Sequence, residues 1–307
     1  MAVAFVFPGQ GSQTVGMGKD LYETFPKARE RFQQASDLLG FDLSRVCFEG
    51  PEEELRQTRV TQPALFVHSV IAYELARERE LEPDIVAGHS LGEYSALVAA
   101  GVLSFEDGLR LVARRGELMQ EAGKKHPGTM AALLGLDADQ VAAVCEAAVS
   151  DGQWVGPANF NAPGQIVISG HVPAVEKASE LAREAGARKV VPLSVSGAFH
   201  SPLMSEAAEE FASDLAATAF GDARTPVVLN VSAQPEISGS RLPDALRRQL
   251  VSPVLWEQSV RRMLQDGVDT FYELGPGKVL LGLIRRVDRK AKGVALGTVA
   301  DFQALES

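Results

Sequence analysis

The sequence predicts an α/β fold in which a large subdomain with a parallel sheet carries an inserted small subdomain. Long stretches with apolar stripes and charged faces, the pattern of amphipathic helices, follow loops or short apolar segments. A turn of the form Gly-x-Ser-x-Gly joins one apolar segment to a helical pattern. Residues 127–197 instead follow the order β-α-β-β-α-β, which is typical of a ferredoxin-like unit.

The first elements are a strand and three helices. Residues 1–7 are apolar, end at Pro8 and lack the basic start of a signal peptide, so we expect the first strand here. Apolar positions at helical spacing then predict helices at 18–39, 62–80 and 104–122.

A possible nucleophile lies between the last two of these helices. Residues 85–87 form an apolar strand, and Ser90 follows between Gly88 and Gly92. In a nucleophile elbow of the α/β-hydrolase type, the serine occupies a strained strand-to-helix turn, and small neighbours let the backbones approach. A helix that begins there directs its positive end at an oxyanion. Ser90 is therefore a candidate nucleophile, although the same pattern also occurs in loops without chemistry.

The middle of the chain predicts the small subdomain. The helical pattern breaks in a charged linker at 123–128. We expect strands at 129–136, 154–159, 165–170 and 188–195, helices at 137–150 and 172–185, and, in the resumed α/β pattern, strands at 226–231 and 270–274. These elements predict a discontinuous large catalytic subdomain at 1–126 and 198–307, a ferredoxin-like small subdomain at 127–197, and a cleft between them.

Composition argues against several classes of function. The chain has 307 residues, 46% hydrophobic and 23% charged, as in an ordinary folded globule. No apolar run approaches the roughly 18 residues of a membrane span. Cys47 and Cys145 lie far apart without metal-ligand spacing, which fits a reducing cytoplasm and no metal site. A net charge of −10 argues against nucleic acid as a partner.

Two glycine-rich loops do not match nucleotide-binding motifs. The loop after the first strand has Thr14 where a dinucleotide fingerprint needs its third glycine. Gly11 and Gly16 have the spacing of a P-loop, but Met17 and Gly18 stand where lysine and serine or threonine are required. The loop at 275–278 also lacks P-loop spacing, so the loops predict no nucleotide cofactor.

A serine nucleophile needs a base within hydrogen-bond reach. The chain has five histidines, and four of them fit other roles. His68 fits a helix core, and His89 lies beside the serine. His126 lies in the linker, and His171 begins a helix. His200 lies in a loop where the large subdomain resumes, and functional residues concentrate in such loops. The residues alone leave His200 a candidate. No acid in 91–199 stands in a recognisable motif, so we leave the third position of a triad empty.

Arg115 is the residue that points to a substrate. It lies on the predicted helix 104–122, whose other face is apolar. A guanidinium group offers a planar fork for a carboxylate, which a lysine does not reproduce. The alternative is that Arg114 and Arg115 are solvated, or pair with Glu117 and Glu121 on the surface.

Six motifs that span nearly the whole chain resemble, in their order, the malonyl-CoA:acyl carrier protein transacylases. They are Phe-Pro-Gly-Gln-Gly-Ser-Gln at 7–13, Thr-Gln-Pro-Ala at 61–64, Gly-His-Ser-Leu-Gly-Glu-Tyr at 88–94, Arg-Gly at 115–116, Gly-Ala-Phe-His-Ser-Pro-Leu-Met at 197–204 and Glu-Leu-Gly-Pro-Gly at 273–277. The resemblance extends to the acyltransferase domains of fatty acid and polyketide synthases, and it implies the same two-subdomain architecture.

The resemblance also implies roles for individual residues. Ser90 is the nucleophile and His200 its base, and a backbone carbonyl near Gln249 holds the imidazole. The backbone N–H groups of Gln10 and Leu91 bind the oxyanion, and Arg115 binds the malonyl carboxylate. Gln62, Phe199 and Gln249 line the site, and Phe199 resembles the malonyl-selective pattern of polyketide acyltransferases.

The expected activity is that of a cytoplasmic transacylase. Malonyl moves from malonyl-CoA to Ser90 and then to the phosphopantetheine thiol of an acyl carrier protein, with ping-pong kinetics. The CoA thioester is a substrate, and no cofactor, metal, nucleic acid or membrane is expected. Two alternatives stay open, a serine esterase or thioesterase and a non-catalytic carrier-binding module. The sequence also leaves open whether fatty acid or polyketide synthesis is served.

Overall fold

The computed structural model describes residues 2–150 and 152–306. The strands are β1 (Ala2–Phe7), β2 (Ile85–Gly88), β3 (Gly128–Leu134), β4 (Val155–Ala162), β5 (Gln165–His171), β6 (Lys189–Pro192), β7 (Val227–Val228), β8 (Pro235–Glu236), β9 (Val268–Leu274) and β10 (Lys292–Leu296). The helices are α1 (Lys19–Thr24), α2 (Pro26–Leu39), α3 (Leu43–Glu49), α4 (Glu52–Leu55), α5 (Thr58–Glu78), α6 (Gly92–Ala99), α7 (Phe105–Lys125), α8 (Ala138–Ala148), α9 (Val172–Glu184), α10 (Ser205–Ala217), α11 (Leu242–Gln249), α12 (Trp256–Gln265), α13 (Val279–Val287) and α14 (Val299–Ala304).

The large sheet has six strands in the order β10-β9-β1-β2-β7-β8. The first five run parallel, and β8 pairs antiparallel with β7. Side chains alternate between the faces of a strand, so Phe5 and Phe7 of β1 join one core cluster while Ala4 and Val6 join another. Both faces of the sheet are therefore buried. Polar functional residues are expected in the loops at the carboxyl ends of the strands.

The small sheet has four antiparallel strands in the order β4-β5-β3-β6. Leu133, Ile168 and Val175 lie in its own buried core, to which the helices α8 and α9 also contribute. The element order is the predicted β-α-β-β-α-β, and the predicted α/β class is confirmed. The backbone N–H of Phe160 donates to the Val254 carbonyl at 2.9 Å and links this sheet to the large body. The subdomain boundaries at 126/127 and 197/198 stay predictions.

Several predicted elements have different bounds. The helix expected at 18–39 is divided at Phe25, which has extended backbone before Pro26. The linker expected at 123–128 is wrong in its first half, because α7 continues to Lys125. The strand expected at 226–231 is only two residues long, because the chain turns after β7. Met1, expected in the first strand, lies outside the described residues.

Among the residues described, no helix combines the length and the apolar character that a membrane span requires.

Candidate active site

Ser90 lies on a sharp turn between β2 and α6. Its φ is +52°, in the left-handed region that non-glycine residues rarely adopt. The turn leaves no room for larger neighbours: a Cβ on Gly88 would lie 1.9 Å from the carbonyl group of Gly92, and a Cβ on Gly92 would lie 2.1 Å from the Phe7 carbonyl oxygen. Both glycines are therefore required by close backbone approach, as the elbow interpretation predicted.

The loops after β1 and β2 meet because these strands are parallel and in register, with Phe7 opposite Gly88. The approach is close, since a Cβ on Gly9 would lie 2.4 Å from the His89 carbonyl oxygen. Gln10 and Leu91 both border the cavity above Ser90. Within the described part of the chain, neither of their backbone N–H groups has a protein acceptor. Both donors are therefore available to an oxyanion.

Ser90 and His200 form a hydrogen-bonded pair. The Ser90 Oγ lies 2.8 Å from the His200 Nε2, and the His200 Nδ1 lies 2.8 Å from the Gln249 carbonyl oxygen. A carbonyl can only accept, so Nδ1 carries the hydrogen and Nε2 is left to accept the serine proton. Arg115 donates to the Ser90 Oγ from its Nη2 at 3.0 Å, which directs the serine hydrogen toward His200. A backbone carbonyl therefore orients the imidazole so that its Nε2 can accept the serine proton.

The environment of His200 keeps its ring neutral. Burial and then the charge of Arg115 lower the pKa of His200 to about 3. A histidine with this pKa is unprotonated throughout the neutral range, so the lone pair of Nε2 stays free to accept the serine proton.

Arg115 is buried and lies inside the site. Its side chain is 1% exposed, and it donates from Nη1 to Gln62 Oε1 and from Nη2 to Gln249 Oε1, both at 2.9 Å. Its Nε has no partner, and no carboxylate of the described residues lies within ion-pair distance. The guanidinium group has five N–H groups, so the three bonds that Arg115 makes with the protein leave donors free for an anion. Burial lowers its pKa.

Arg114, the neighbour of Arg115, lies on the surface and pairs with acidic residues there, which was the alternative that the sequence allowed for both arginines. Arg114 is 33% exposed and pairs with Glu117 at 3.4 Å and with Glu210. The surface alternative is therefore correct for Arg114 and wrong for Arg115.

The cavity over Ser90 is small and partly enclosed. The described residues that line it are Gln10, Gln62, His89, Ser90, Leu91, Arg115, Met119, Met130, Asn159, Leu193, Val195, Phe199 and His200. Gln62 and Phe199, the lining residues that the resemblance implies, are among them. Gln249 does not line the cavity, because its fully buried side chain lies behind Arg115 and accepts a hydrogen bond from it.

The other four histidines have structural contacts. His68 is buried with its Nε2 3.0 Å from the Gly297 carbonyl, and burial lowers its pKa to about 4. The Nε2 of His89 lies 2.8 Å from the Oδ1 of Asn161, and the His89 ring packs against Trp256. His126 follows the last turn of α7, and His171 precedes α9.

Sequence reasoning missed two residues that support the site. Glu93, in the first turn of α6, is 1% exposed. Asn230, in the turn after β7, accepts the Ser90 backbone N–H through its Oδ1 at 2.7 Å. Glu93 belongs to the elbow motif and was available as a signal. Nothing in the local sequence marks Asn230, because its contact with Ser90 depends on the pairing of β2 with β7.

Cys47 and Cys145 are both buried and free, and burial raises the pKa of each thiol to about 12. In the part of the chain that the structure describes, no group of three or more His, Cys, Asp or Glu side chains could hold a metal ion.

Comparison with known proteins shows that the chain is similar to acyl transferases. Residues 4–301 match the family described as acyl transferase domain. The malonyl CoA-acyl carrier protein transacylase of Bacillus subtilis (strain 168) is 49% identical over 304 residues, which are 99% of this chain and 95% of that protein.

Two solved structures are similar over nearly the full length. The acyl carrier protein S-malonyltransferase of Vibrio cholerae is 46% identical with a TM-score of 0.95, covering 99% of this chain and 100% of that one. A malonyl-transacylase in complex with its type II PKS acyl-carrier protein is 44% identical with a TM-score of 0.96, covering 99% and 98%.

Proposed function

The chain belongs to the acyl transferase family and, within it, is related over its full length to the malonyl-CoA:acyl carrier protein transacylases, and we propose that it carries out their reaction. It transfers the malonyl group from malonyl-CoA to the phosphopantetheine thiol of an acyl carrier protein. The product is an extender unit for fatty acid or polyketide synthesis.

The first half-reaction acylates the serine. Ser90 Oγ gives its proton to the Nε2 of His200 and attacks the thioester carbonyl, which becomes a tetrahedral oxyanion. The backbone N–H groups of Gln10 and Leu91 donate to that oxygen. The carbon–sulfur bond then breaks, and the CoA thiolate takes the proton from Nε2. Malonyl-Ser90 and free CoA are the products.

The second half-reaction reverses these steps with a different thiol. The carrier thiol gives its proton to His200 Nε2 and attacks the malonyl ester, and the same two N–H groups hold the oxyanion. The carbon–oxygen bond breaks, Ser90 Oγ recovers the proton, and malonyl leaves on the carrier. One neutral imidazole therefore serves both halves, which gives ping-pong kinetics.

The observation that carries the proposal is the buried arginine beside the nucleophile. Arg115 is 1% exposed, contacts the Ser90 Oγ and lacks a carboxylate partner among the described residues. An unpaired buried cation is costly, and it is stabilised by an anion that enters with the substrate. The terminal carboxylate of malonyl supplies that anion close to the thioester. A neutral acyl ester would leave Arg115 unpaired, so the arrangement favours a dicarboxylic acyl group over an ordinary esterase substrate.

The CoA thioester is the substrate, and the steps above need no cofactor. We place the reaction in the cytoplasm.

Intact-protein mass spectrometry tests the function. After brief mixing with malonyl-CoA, we expect one malonyl adduct on the unmodified protein and none on Ser90→Ala. Adding acyl carrier protein in its phosphopantetheine form should move the adduct to the carrier faster than water removes it. An adduct on Ser90→Ala refutes Ser90 as the nucleophile, and loss of the adduct to water alone identifies a thioesterase.

A further inference from the structure

A buried carboxyl group lies one hydrogen bond from the residues that hold the nucleophile. Glu93 is 1% exposed, and its backbone N–H donates to the Ser90 carbonyl at 3.1 Å. One carboxyl oxygen, Oε2, accepts from the backbone N–H of Asn230 at 2.9 Å and from Gln249 Nε2 at 3.1 Å. The other oxygen, Oε1, has no partner in the described structure. A single oxygen of Glu93 therefore joins the turn after β7 to the end of α11.

The first contact places the serine backbone. Asn230 is fixed by Glu93 through its own N–H, and its side chain donates to the Gly88 carbonyl at 2.6 Å and accepts from the Ser90 N–H at 2.7 Å. These two bonds clamp the strained turn on both sides of His89. Ser90 keeps a positive φ of +52°, and such strain persists only where surrounding contacts impose it.

The second contact places the arginine and the base. Gln249 Nε2 donates to Glu93 Oε2 and, at 3.0 Å, to the Ser90 carbonyl. With both hydrogens directed there, the Oε1 of Gln249 faces Arg115 and accepts from its Nη2 at 2.9 Å. The carbonyl of the same residue accepts from His200 Nδ1. Rotating the amide by half a turn would set an NH₂ group against the guanidinium, which is repulsive.

We propose that Glu93 is a positioning residue for malonyl transfer: by accepting from Asn230 and Gln249 through Oε2, it orients the two side chains that hold Ser90 and Arg115. Glu93 makes no hydrogen bond with the Ser90 Oγ and is not among the described residues that line the cavity above it. The inference rests on the proposed function, because its strongest effect is on the arginine that binds the malonyl carboxylate.

In this role Glu93 acts through its hydrogen bonds and not through its charge. Glutamine at position 93 is the same size, can place its oxygen where Oε2 lies, and puts its NH₂ group at the unpartnered Oε1 position. Aspartate keeps the charge but is one methylene shorter, so its oxygen cannot reach both donors. Burial raises the pKa of Glu93 to about 7, which agrees with a site that tolerates the neutral form.

Glu93→Gln keeps the side-chain length and removes the charge, whereas Glu93→Asp keeps the charge and shortens the side chain, so the two variants test these properties separately. We measure the rates of Ser90 acylation by malonyl-CoA and by acetyl-CoA at low substrate concentration. Glu93→Gln should stay within about threefold of the unmodified protein for both acyl groups. Glu93→Asp should lose about tenfold or more with malonyl-CoA, equivalent to about 1.4 kcal/mol, and lose less with acetyl-CoA.

Glu273→Asp is the matched control. Glu273 is also fully buried, and its carboxylate accepts from the Leu280 and Leu281 N–H groups at 3.0 and 2.9 Å, outside the site. We expect a lower melting temperature and an unchanged ratio of malonyl to acetyl rates.

Three results overturn the proposal: normal rates in both Glu93 variants, losses in Glu93→Gln as large as those in Glu93→Asp, or an unchanged malonyl-to-acetyl ratio in Glu93→Asp. If the unmodified protein itself takes up no malonyl group, the proposed function fails instead.

Discussion

Replacement of Arg115 by alanine separates a malonyl transferase from a general acyl transferase. The side chain is 1% exposed and bonded to Gln62, Gln249 and the Ser90 Oγ. A carboxylate that binds there gains charge-assisted hydrogen bonds worth about 1.5–3 kcal/mol each. Losing them costs about 3 kcal/mol or more, which is on the order of 10²-fold in the rate of malonyl transfer.

The acetyl group responds differently because it has no carboxylate. In the unmodified protein it enters beside a buried guanidinium that it cannot neutralise. Arg115→Ala removes that unfavourable contact together with the hydrogen bond that orients the Ser90 hydroxyl, so acetylation of Ser90 should fall much less than malonylation. The malonyl-to-acetyl ratio should therefore fall by about two orders of magnitude, a larger change than any general loss of rate.

The assay is quenched-flow acylation with equal concentrations of the two CoA thioesters, followed by intact mass. Arg114→Ala is the matched control, since the adjacent arginine is 33% exposed and pairs with surface acids. It should leave the ratio unchanged, because exposed ion pairs contribute about 0–1 kcal/mol. Equal losses for both acyl groups in Arg115→Ala refute the reasoning and make Arg115 structural.

The remaining predictions concern the base and the turn. Because burial and Arg115 lower the pKa of His200 to about 3, kcat/KM for acylation should stay level from about pH 8 to about pH 5, and a fall centred near pH 6.5 contradicts this. With acetyl-CoA, Arg115→Ala removes one cause of the lowered pKa, so the acid limb of the same pH profile should move to higher pH. Gly88→Ala should abolish soluble or active protein, since the new Cβ would lie 1.9 Å from Gly92. Normal activity in Gly88→Ala would contradict the close approach at this turn. Gly282→Ala in α13 is the control: nothing lies within 4 Å of the new Cβ, so the melting temperature should rise slightly.

Much of the fold could be predicted locally. Apolar periodicity located most helices and strands, because burial repeats with the period of the element. The observed bounds differ from the predicted ones where tertiary contacts decide them. The sequence predicts a break at Gly123, but α7 runs through this residue, and its glycine is required by packing, since a Cβ there would lie 2.1 Å from the Ser196 carbonyl oxygen. No pattern within residues 104–128 reveals that contact.

Part of the site was also available from the sequence. The elbow around Ser90 is a local feature, since its glycines and its strand and helix are contiguous. Arg115 was visible as a charged residue on an amphipathic helix, but the helical pattern alone did not separate it from Arg114, one position away, and only the resemblance assigned the carboxylate to Arg115. Their burial differs, at 1% and 33% exposed, because only one of the two faces Gln62 of α5.

The sequence by itself determined the residue types of the proposed reaction: a serine in an elbow, a histidine in the returning loop and an arginine suited to a carboxylate. The tertiary structure alone decided how they are held. Asn230 and Gln249 lie 140 and 159 positions from Ser90 in the chain and still bond to its backbone. Such contacts arise because parallel strands bring the ends of distant segments to one edge of the sheet, where buried polar groups must find partners in one another.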